Sequence, residues 1–589
     1  MDKVKIKINN REYEADRDAT ILEACRTAAI EIPTLCYLKE INAIGACRVC
    51  LVDVKGARAM PAACVQPIHE GMEIFTNTPA VRAARKANLE LILSDHQKDC
   101  LSCIRNLDCE LRILSADYGV EDEHHFTGRL SAGVPVENED AAIVRDNNKC
   151  IACRRCVAAC NDMQGISVIG PNNRGFDISI GCSFGVKLGD VPCIACGQCI
   201  VVCPVGALYE KDDTEAVWQA IADPTKHVAV CAAPSIRVTL GECFGNEPGT
   251  FVEGKLAASL RRLGFDGVYD MDFSADMTIM EEAAELVERI QNGGKLPLIT
   301  SCSPGWVKYC EHFFPEFIEN LSSCKSPQQM FGAIYKTHYA AKLGLDPKDI
   351  FFVSVIPCTA KKFEITREGQ SAAGEGIRDV DAAITTRELA RMIAKAGILF
   401  NELPDEEFDS LAATGSGAGV IFGTSGGVME AALRTAAETI LGEPLEKVDY
   451  EEVRGSKGIK TATYKIGAMD VCVAVASGTA NAHKLLTAIK NGEMDVQFVE
   501  VMACPGGCVC GGGQPTHAAA TRNFTDLWSK RAAGLYANDK DKPVRKSHEN
   551  PLIKELYSEY LGSPGSQKAH EVLHTHYQAR SKCVRKPEI

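Results

Sequence analysis

Cys150, Cys153, Cys156 and Cys160 stand at C-x2-C-x2-C-x3-C spacing; Cys193, Cys196, Cys199 and Cys203 repeat it, and Pro204 follows. Thiolates are soft ligands suited to iron–sulfur chemistry, and this run is the bacterial two-cluster ferredoxin signature, in which the fourth cysteine of each run ligates the other cluster. The pattern predicts two neighbouring [4Fe–4S] cubanes. One is held by Cys150, Cys153, Cys156 and Cys203, the other by Cys193, Cys196, Cys199 and Cys160, close enough for electron transfer.

Two further ligand sets precede this repeat. Cys36, Cys47, Cys50 and Cys64 follow a C-x10-C-x2-C-x13-C pattern, which suits four thiolates closing a [2Fe–2S] cluster in loops around a small sheet. Cys25 falls inside a helical stretch and is expected in the core. Next come His96, Cys100, Cys103 and Cys109. Three cysteines are one short of a cubane, and an imidazole can supply the fourth ligand; an isolated histidine at a helix end would carry no such expectation.

Toward the C-terminus, Cys302, Cys358 and Cys504 each directly follow an apolar run, and Cys508 lies four residues after Cys504. Ligands of open α/β sheets gather beyond the carboxyl ends of strands, so three such loops are expected to converge on one crevice. Any one of these cysteines alone would be read as a buried thiol.

The elements that must position these residues are legible in outline. At 589 residues the chain is too long for one core. Its 28 cysteines, grouped at short gaps without an export signal, indicate a reduced compartment rather than a disulfide scaffold. No run of 18 apolar residues appears, and MDKVKIKINN reads as a strand rather than a signal peptide, so a cytoplasmic, non-membrane protein is expected. The net charge of −14 argues against nucleic-acid binding.

VKIKINN and REYEAD read as a hairpin turning at Asn9-Asn10, followed by a helix over DRDATILEACRTAAI with Asp or Thr near its N-cap. This suggests a β-grasp domain over residues 1–80. Residues 81–125 read as helical around the His/Cys set, 121–142 as a polar linker, and 143–212 as the ferredoxin-like repeat. Residues 225–535 alternate strands and helices, with HVAVCAAPS, GFDGVYDMDF, LPLITSC, DIFFVSVIPC, GVIFGTSGG, YKIGAMDVCVAVAS and DVQFVEVMAC as strands. Residues 536–589 close the chain. The class is multidomain, α+β at the N-terminal end and α/β in the largest unit. GSGAG after Thr414 lacks the strand and acidic partner of a dinucleotide fingerprint and reads as a loop.

Taken together, Thr300–Trp306 (TSCSPGW), Pro357–Glu364 (PCTAKKFE) and Glu500–Pro515 (EVMACPGGCVCGGGQP) resemble the three active-site signatures TSCCPxW, PCxxKxxE and ExMxCxxGCxxGGGQP of the multi-cluster [FeFe]-hydrogenases. The resemblance spans essentially the whole chain. It is nearest the catalytic subunit of NADP-reducing or electron-bifurcating complexes, and it includes a C-terminal piece similar to the family's small subunit. It implies 2H⁺ + 2e⁻ ⇌ H2 at an H-cluster, a [4Fe–4S] cubane joined through cysteine sulfur to a diiron centre with CO, cyanide and azadithiolate, supplied by maturases.

By motif position, Cys508 would bridge the two parts, and Cys358 and Cys504 would also hold the cubane. Lys361 would donate to a cyanide. Ala233, Pro234, Ser235, Gln328, Phe422 and Met502 would line the diiron pocket. Glu282, Glu285 and Arg289 share one helix face and on spacing alone read as a surface ion-pair stripe; the resemblance makes them a proton relay with Ser322 and Cys302. The implied cofactors are one [2Fe–2S] cluster, three accessory [4Fe–4S] clusters and the H-cluster. The implied electron partners are ferredoxin or NAD(P)H–flavin subunits.

Three positions depart from the pattern. Ser303 stands where the family has a cubane-ligand cysteine, Ile356 replaces a usual methionine, and Cys510 is an extra cysteine. A seryl oxygen is harder and more basic than a thiolate. Four readings stand open: Ser303 ligates with Cys302 as relay; Cys302 ligates instead; Cys510 swings in; or the cubane lacks a protein ligand. The last favours a hydrogen sensor or catalytically impaired electron-transfer subunit as the alternative function. Retained Cys302, Glu282 and Glu285 favour turnover. The three strand-end loops argue against a respiratory NADH dehydrogenase subunit. Lys361, Cys508 and CAAPS together argue against an iron–sulfur assembly relative that keeps only a cubane.

Overall fold

The structure is a computed structural model describing residues 2–121, 136–137, 142–412, 415–444, 448–456, 458–467 and 469–582. Most of the expected 121–142 linker lies outside these residues, as does Cys583.

The N-terminal sheet has strands β1 (Lys3–Ile8), β2 (Arg11–Asp16), β3 (Asp53–Val54) and β4 (Glu73–Phe75) in the order β2-β1-β4-β3. Alternation in KVKIKI turns Val4, Ile6 and Ile8 inward. Asn9 and Asn10 both take positive φ, 50° and 68°, the backbone of a two-residue hairpin turn that asparagine tolerates. The following helix is shorter than its apolar pattern suggested, Ile21–Thr27, because Thr20 and Glu23 form a capping box that starts it late.

Helices Pro79–Leu93 and Glu110–Asp117 flank the His96–Cys109 loop. The ferredoxin-like unit adds two small antiparallel ribbons: β5 (Ile143–Arg145) pairs β8 (Leu208–Glu210), and β6 (Gly170–Asn172) pairs β7 (Ser179–Gly181). Arg155, fully buried, donates bidentately to buried Glu110 at 2.9 and 3.0 Å and ties the two cluster-bearing segments together.

The largest unit contains two four-stranded sheets. One is wholly parallel, in the order β10-β9-β12-β13, from β9 (His227–Ala232), β10 (Gly267–Asp270), β12 (Ile350–Ile356) and β13 (Ala382–Thr385). The other, β11-β16-β15-β14, uses β11 (Leu298–Ile299), β14 (Ile459–Ile466), β15 (Met469–Ser477) and β16 (Phe498–Met502), with β14 antiparallel at its edge. YKIGAMDVCVAVAS is therefore two strands of a hairpin, broken at Gly467, where φ is +60°.

GVIFGTSGG is not a strand, and GSGAG is not a loop. Ser416 accepts from Gly419 N and caps a short helix, Gly417–Ile421; a second helix begins at Gly427. Helix Gly417–Ile421 packs on helix Asp272–Asn292, where a Cβ on Gly419 would lie 2.5 Å from Asp272 O. A short apolar run is ambiguous between strand and helix, and the small residues here serve close helix packing. No helix among the described residues is long and apolar enough to cross a membrane.

Candidate active site and metal centres

The [2Fe–2S] thiols crowd together in the β-grasp domain: Cys50 Sγ lies 3.4 Å from Cys64 Sγ, and Cys36, Cys50 and Cys64 are buried. Hydrogen bonds from Cys47 and then Cys64 hold the Cys36 thiol far below its usual range, and the same contacts push Cys47 and Cys64 up. Buried thiols competing for protons fit a site that a cation completes, because metal ligation replaces those protons.

His96 is buried, its imidazole pushed down by desolvation, and its Nδ1 has no hydrogen-bond partner in the protein. An orphaned buried nitrogen four residues before Cys100 in the sequence fits metal ligation. A Cβ on Gly206 would lie 2.5 Å from Cys103 Sγ, so glycine is what admits the thiol.

The repeat is visible in the backbone. Ala152 and Ala195 have φ of 50° and 55°, and Arg154 and Gly197 have 60° and 70°. A cavity of about 20 Å³ is lined by Cys150, Cys153, Cys156 and Cys203, and another of about 40 Å³ by Cys156, Cys160, Cys193, Cys196 and Cys199. The fourth cysteine of each run thus faces the opposite trio. Burial, then the neighbouring thiols, pushes Cys156 and Cys199 well up, as expected of a site awaiting positive charge.

The second of these loops abuts the catalytic unit. Thr359 Oγ1 donates to Ala195 O at 2.7 Å, and Gln198 Nε2 to Cys510 O at 2.9 Å. A Cβ on Gly197 would meet Thr359 Oγ1 at 2.4 Å, which accounts for glycine where the first loop carries Arg154.

Strands β9, β11, β12 and β16 end at one crevice. Beyond them a cavity of about 70 Å³ is lined by Ala233, Pro234, Cys302, Ser303, Gln328, Cys358, Lys361, Phe422, Met502, Cys504 and Cys508, among others. Burial pushes Cys508 up to about 12, and Cys504, donating to Cys358, lowers that thiol. Four thiols and the Ser303 hydroxyl lining one small apolar cavity fit a cubane and its attached diiron group.

Ser303 Oγ accepts from Ala503 N at 3.2 Å. Cys510 does not line the cavity; it packs with Trp528 beside Val238, Val509 and Leu535, and Arg531 is its leading charged neighbour. Ser235 also falls outside the lining: it is fully buried behind it, its Oγ accepting from Gln514 Nε2 at 3.2 Å. The same Gln514 Nε2 donates to Cys508 O at 3.0 Å, which ties Ser235 to a cavity-lining loop.

Lys361 Nζ donates to Cys302 O and to Glu364 Oε2, each at 3.0 Å. Gln328 Nε2 donates to the same Glu364 oxygen at 2.7 Å, and Gln328 Oε1 accepts from Ser354 Oγ at 2.7 Å. Glu364 is a positioning residue the sequence reading assigned no role. Its signal was the i, i+3 spacing from Lys361 inside PCTAKKFE. Glu500, at the head of the third signature, was likewise unassigned. Fully buried, it accepts 2.7 Å bonds from Gly426 N and Met429 N, and burial pushes it up to about 7.

Glu282, Glu285 and Arg289 are not a surface stripe. Glu282 is fully buried, and burial and then Glu285 push it up to about 8. Its Oε1 accepts from Ser301 N at 3.4 Å and its Oε2 has no partner in the protein. Ser322 Oγ donates to Glu285 Oε2 at 2.8 Å and also faces Glu282, while Arg289 pairs with Glu285 at 2.6 Å. Glu282 is the leading charged neighbour of the Cys302 thiol, which burial raises well above its usual value. Of the other unassigned cysteines, Cys25, Cys182, Cys231, Cys310 and Cys324 are buried, Cys472 is half-buried and Cys243 is exposed.

Comparison with known proteins follows the same divisions. Residues 226–512 match the model for iron only hydrogenase large subunit, C-terminal domain, and 525–580 that for iron hydrogenase small subunit. Residues 1–79 match a 2Fe-2S iron-sulfur cluster binding domain, 85–124 the NADH-ubiquinone oxidoreductase-G iron-sulfur binding region, and 149–207 a 4Fe-4S dicluster domain. The chain is 46% identical to NADP-reducing hydrogenase subunit HndD of Solidesulfovibrio fructosivorans, covering 99% of this chain and 100% of that one. It is 43% identical to iron hydrogenase 1 of Clostridium pasteurianum, over 97% and 99% of the two chains. Among solved structures, the apo [FeFe]-hydrogenase HydA1 of Chlamydomonas reinhardtii superposes with a TM-score of 0.56 at 43% identity, covering 63% of this chain and all of that one.

Proposed function

The chain belongs to the iron-only hydrogenases, and on that premise we propose the particular roles of its residues in moving protons and electrons to and from H2. The carrying observation is the small cavity shared by Cys358, Cys504, Cys508, Ser303, Cys302 and Lys361. Cys358, Cys504 and Cys508 would hold the cubane, Cys508 would link it to the diiron group, and Ser303 would complete the ligand set. Of the four readings of the first loop, this one suits the geometry best: Ser303 lines the cavity, Cys302 has Glu282 as its leading charged neighbour, and Cys510 packs elsewhere. The bound H-cluster would supply the heterolytic splitting and formation of H2.

The chain's own residues arrange the rest. Lys361, held between Cys302 O and Glu364, presents its ammonium to the cavity as a donor for an anionic ligand. Ala233, Pro234, Gln328, Phe422 and Met502 wall the cavity and exclude water, and Ser235 supports that wall from behind. Arg289, Glu285, Ser322 and Glu282 carry protons between the helix surface and Cys302. A carboxyl raised toward neutrality is matched to giving and taking protons at physiological pH.

Cys36, Cys47, Cys50 and Cys64 would hold one [2Fe–2S] cluster, and the His96–Cys109 set and the two crossed quartets would hold three [4Fe–4S] clusters, which would supply the electron route. The segments 1–80, 81–125, 143–212, 225–535 and 536–589 are the corresponding units. Ferredoxin or an NAD(P)- and flavin-bearing subunit is the proposed exchange partner, in line with the relative named as an NADP-reducing subunit, and the proposed location is the cytoplasm. A sensing or impaired subunit is not favoured, since the relatives covering the full chain are named as hydrogenases. Infrared spectroscopy after expression with maturases tests the reading: CO and cyanide bands are expected, and their absence would overturn it.

A further inference from the structure

The two crossed quartets differ in what surrounds them. Gln164 follows Cys160 by four residues, and the repeat puts Ala207 four residues after Cys203. Gln164 lines the cavity shared by Cys160, Cys193, Cys196 and Cys199, while Ala207 lines the one shared by Cys150, Cys153, Cys156 and Cys203. At this position one cluster site has a side-chain amide where its twin has a methyl group.

The amide is held from the catalytic unit. Thr479 opens helix Thr479–Lys490 and donates from its backbone N to Gln164 Oε1 at 3.4 Å; its Oγ1 lies 2.5 Å from Oε1 and 2.6 Å from Gln164 O. A backbone N–H can only donate, so the amide oxygen is the atom turned to Thr479 and the nitrogen is turned away. Gln164 is 1% exposed, and its Nε2 has no hydrogen-bond partner in the protein. A buried donor left unpaired is costly, so an acceptor is expected on the cavity side. The other polar side chains of this cavity do not single it out: Gln198 Nε2 donates to Cys510 O at 2.9 Å, and Arg145 lines both cavities alike. In the first cavity the further polar neighbours, Asn147 and Arg154, are half-buried and exposed.

We propose that Gln164 Nε2 donates a hydrogen bond to a sulfur of the [4Fe–4S] cluster that Cys160, Cys193, Cys196 and Cys199 would hold, and thereby raises that cluster's reduction potential. No proton moves and no bond breaks. Reduction adds one electron to the cluster, and a fixed N–H dipole aimed at its sulfur favours the more negative state, more strongly where water is excluded. This is the cluster whose loop abuts the catalytic unit, through Thr359 and Gln198. Gly478, just before Thr479, donates from its N to the O of cavity-lining Met502 at 2.8 Å. The residue that orients the amide is thus one step from the H2-handling cavity, and the amide favours an electron on the carrier beside it. The inference rests on the cluster assignments proposed above.

The test is an EPR-monitored redox titration of the full, matured chain. Gln164→Met keeps the length of the side chain and removes the donor. One [4Fe–4S] cluster is expected to become roughly tenfold harder to reduce, a midpoint fall of about 59 mV for one electron, with the others in place. Gln164→Glu keeps an oxygen for Thr479 and sets a second oxygen toward the cluster; the same midpoint should fall at least as far, and this variant carries the test if the methionine variant loads iron poorly. An unmoved midpoint in an iron-replete variant would overturn the hydrogen bond. So would an equal shift of every cluster with a lowered melting temperature, which a merely loosened contact between the units would give. Failure of the cluster assignment itself would be told apart by a wild-type chain whose iron content and reduced EPR spectrum lack the two cubanes.

Discussion

Ser303 Oγ and Ala503 N are 3.2 Å apart, so the hydroxyl that faces the cavity is anchored to the strand end that also carries Cys504. The first and third signature loops are thereby joined beside the ligand position. Ser303→Cys is predicted to change the cubane's EPR spectrum and move its midpoint potential upward, because sulfur is the softer and less basic donor. An unaltered spectrum in an iron-replete variant would rule out Ser303 as a ligand.

Glu282→Gln is predicted to be less active and more stable. Removing a proton carrier should lower the rate by roughly 10²–10⁴-fold. The native value lies near 8, above the ordinary 4.5, so the folded protein binds the extra proton between those limits and its stability falls as pH rises through them. The glutamine variant should therefore gain on the order of 2–4 kcal/mol above pH 8, shrinking toward zero near pH 4.5, measurable by denaturant titration at several pH values.

Gly512→Ala should separate the catalytic loop from the adjacent cluster loop. Its Cβ would fall 2.1 Å from Cys196 O, a backbone atom that cannot swing aside. A cost of about 1–3 kcal/mol is expected, together with slower reduction of the N-terminal clusters by hydrogen, followed by freeze-quench EPR. Unchanged kinetics would show that the contact does not set the electron route.

Glu110→Ala should leave Arg155 charged and buried without its bidentate partner. About 3–5 kcal/mol of destabilisation is expected. Thermal melts monitored at the cluster absorption should shift before those of the catalytic unit.

The accessory cluster sites were legible because their ligands are local in sequence and chelate geometry restricts the spacing; even the crossing of Cys160 and Cys203 could be anticipated. The strand-end convergence of Cys302, Cys358 and Cys504 was legible for a different reason, the carboxyl-edge rule for α/β sheets. Burial was not legible. Glu282, Glu285 and Arg289 carry the same charges whether they face water or a protein interior, and only the packing of other elements decides it. GVIFGTSGG misled because an apolar run of that length lacks a period, and its small residues suit helix contact as well as a strand.

Helix Asp272–Asn292 holds two buried carboxylates that draw partners from the last part of the chain, Asp276 beyond those it has from Ser416. Asp276 takes hydrogen bonds from Ser547 and Asn550, and Glu281 from Tyr557, Gly565 and His574. Synthesis runs from the other end, so the cysteines at positions 36 to 203 leave the ribosome long before those partners exist. The cysteine-bearing segments can fold on a nascent chain, whereas helix Asp272–Asn292 gains its last partners only once residues 547–574 have been made. Birth order thus places the conductor first and its terminus last.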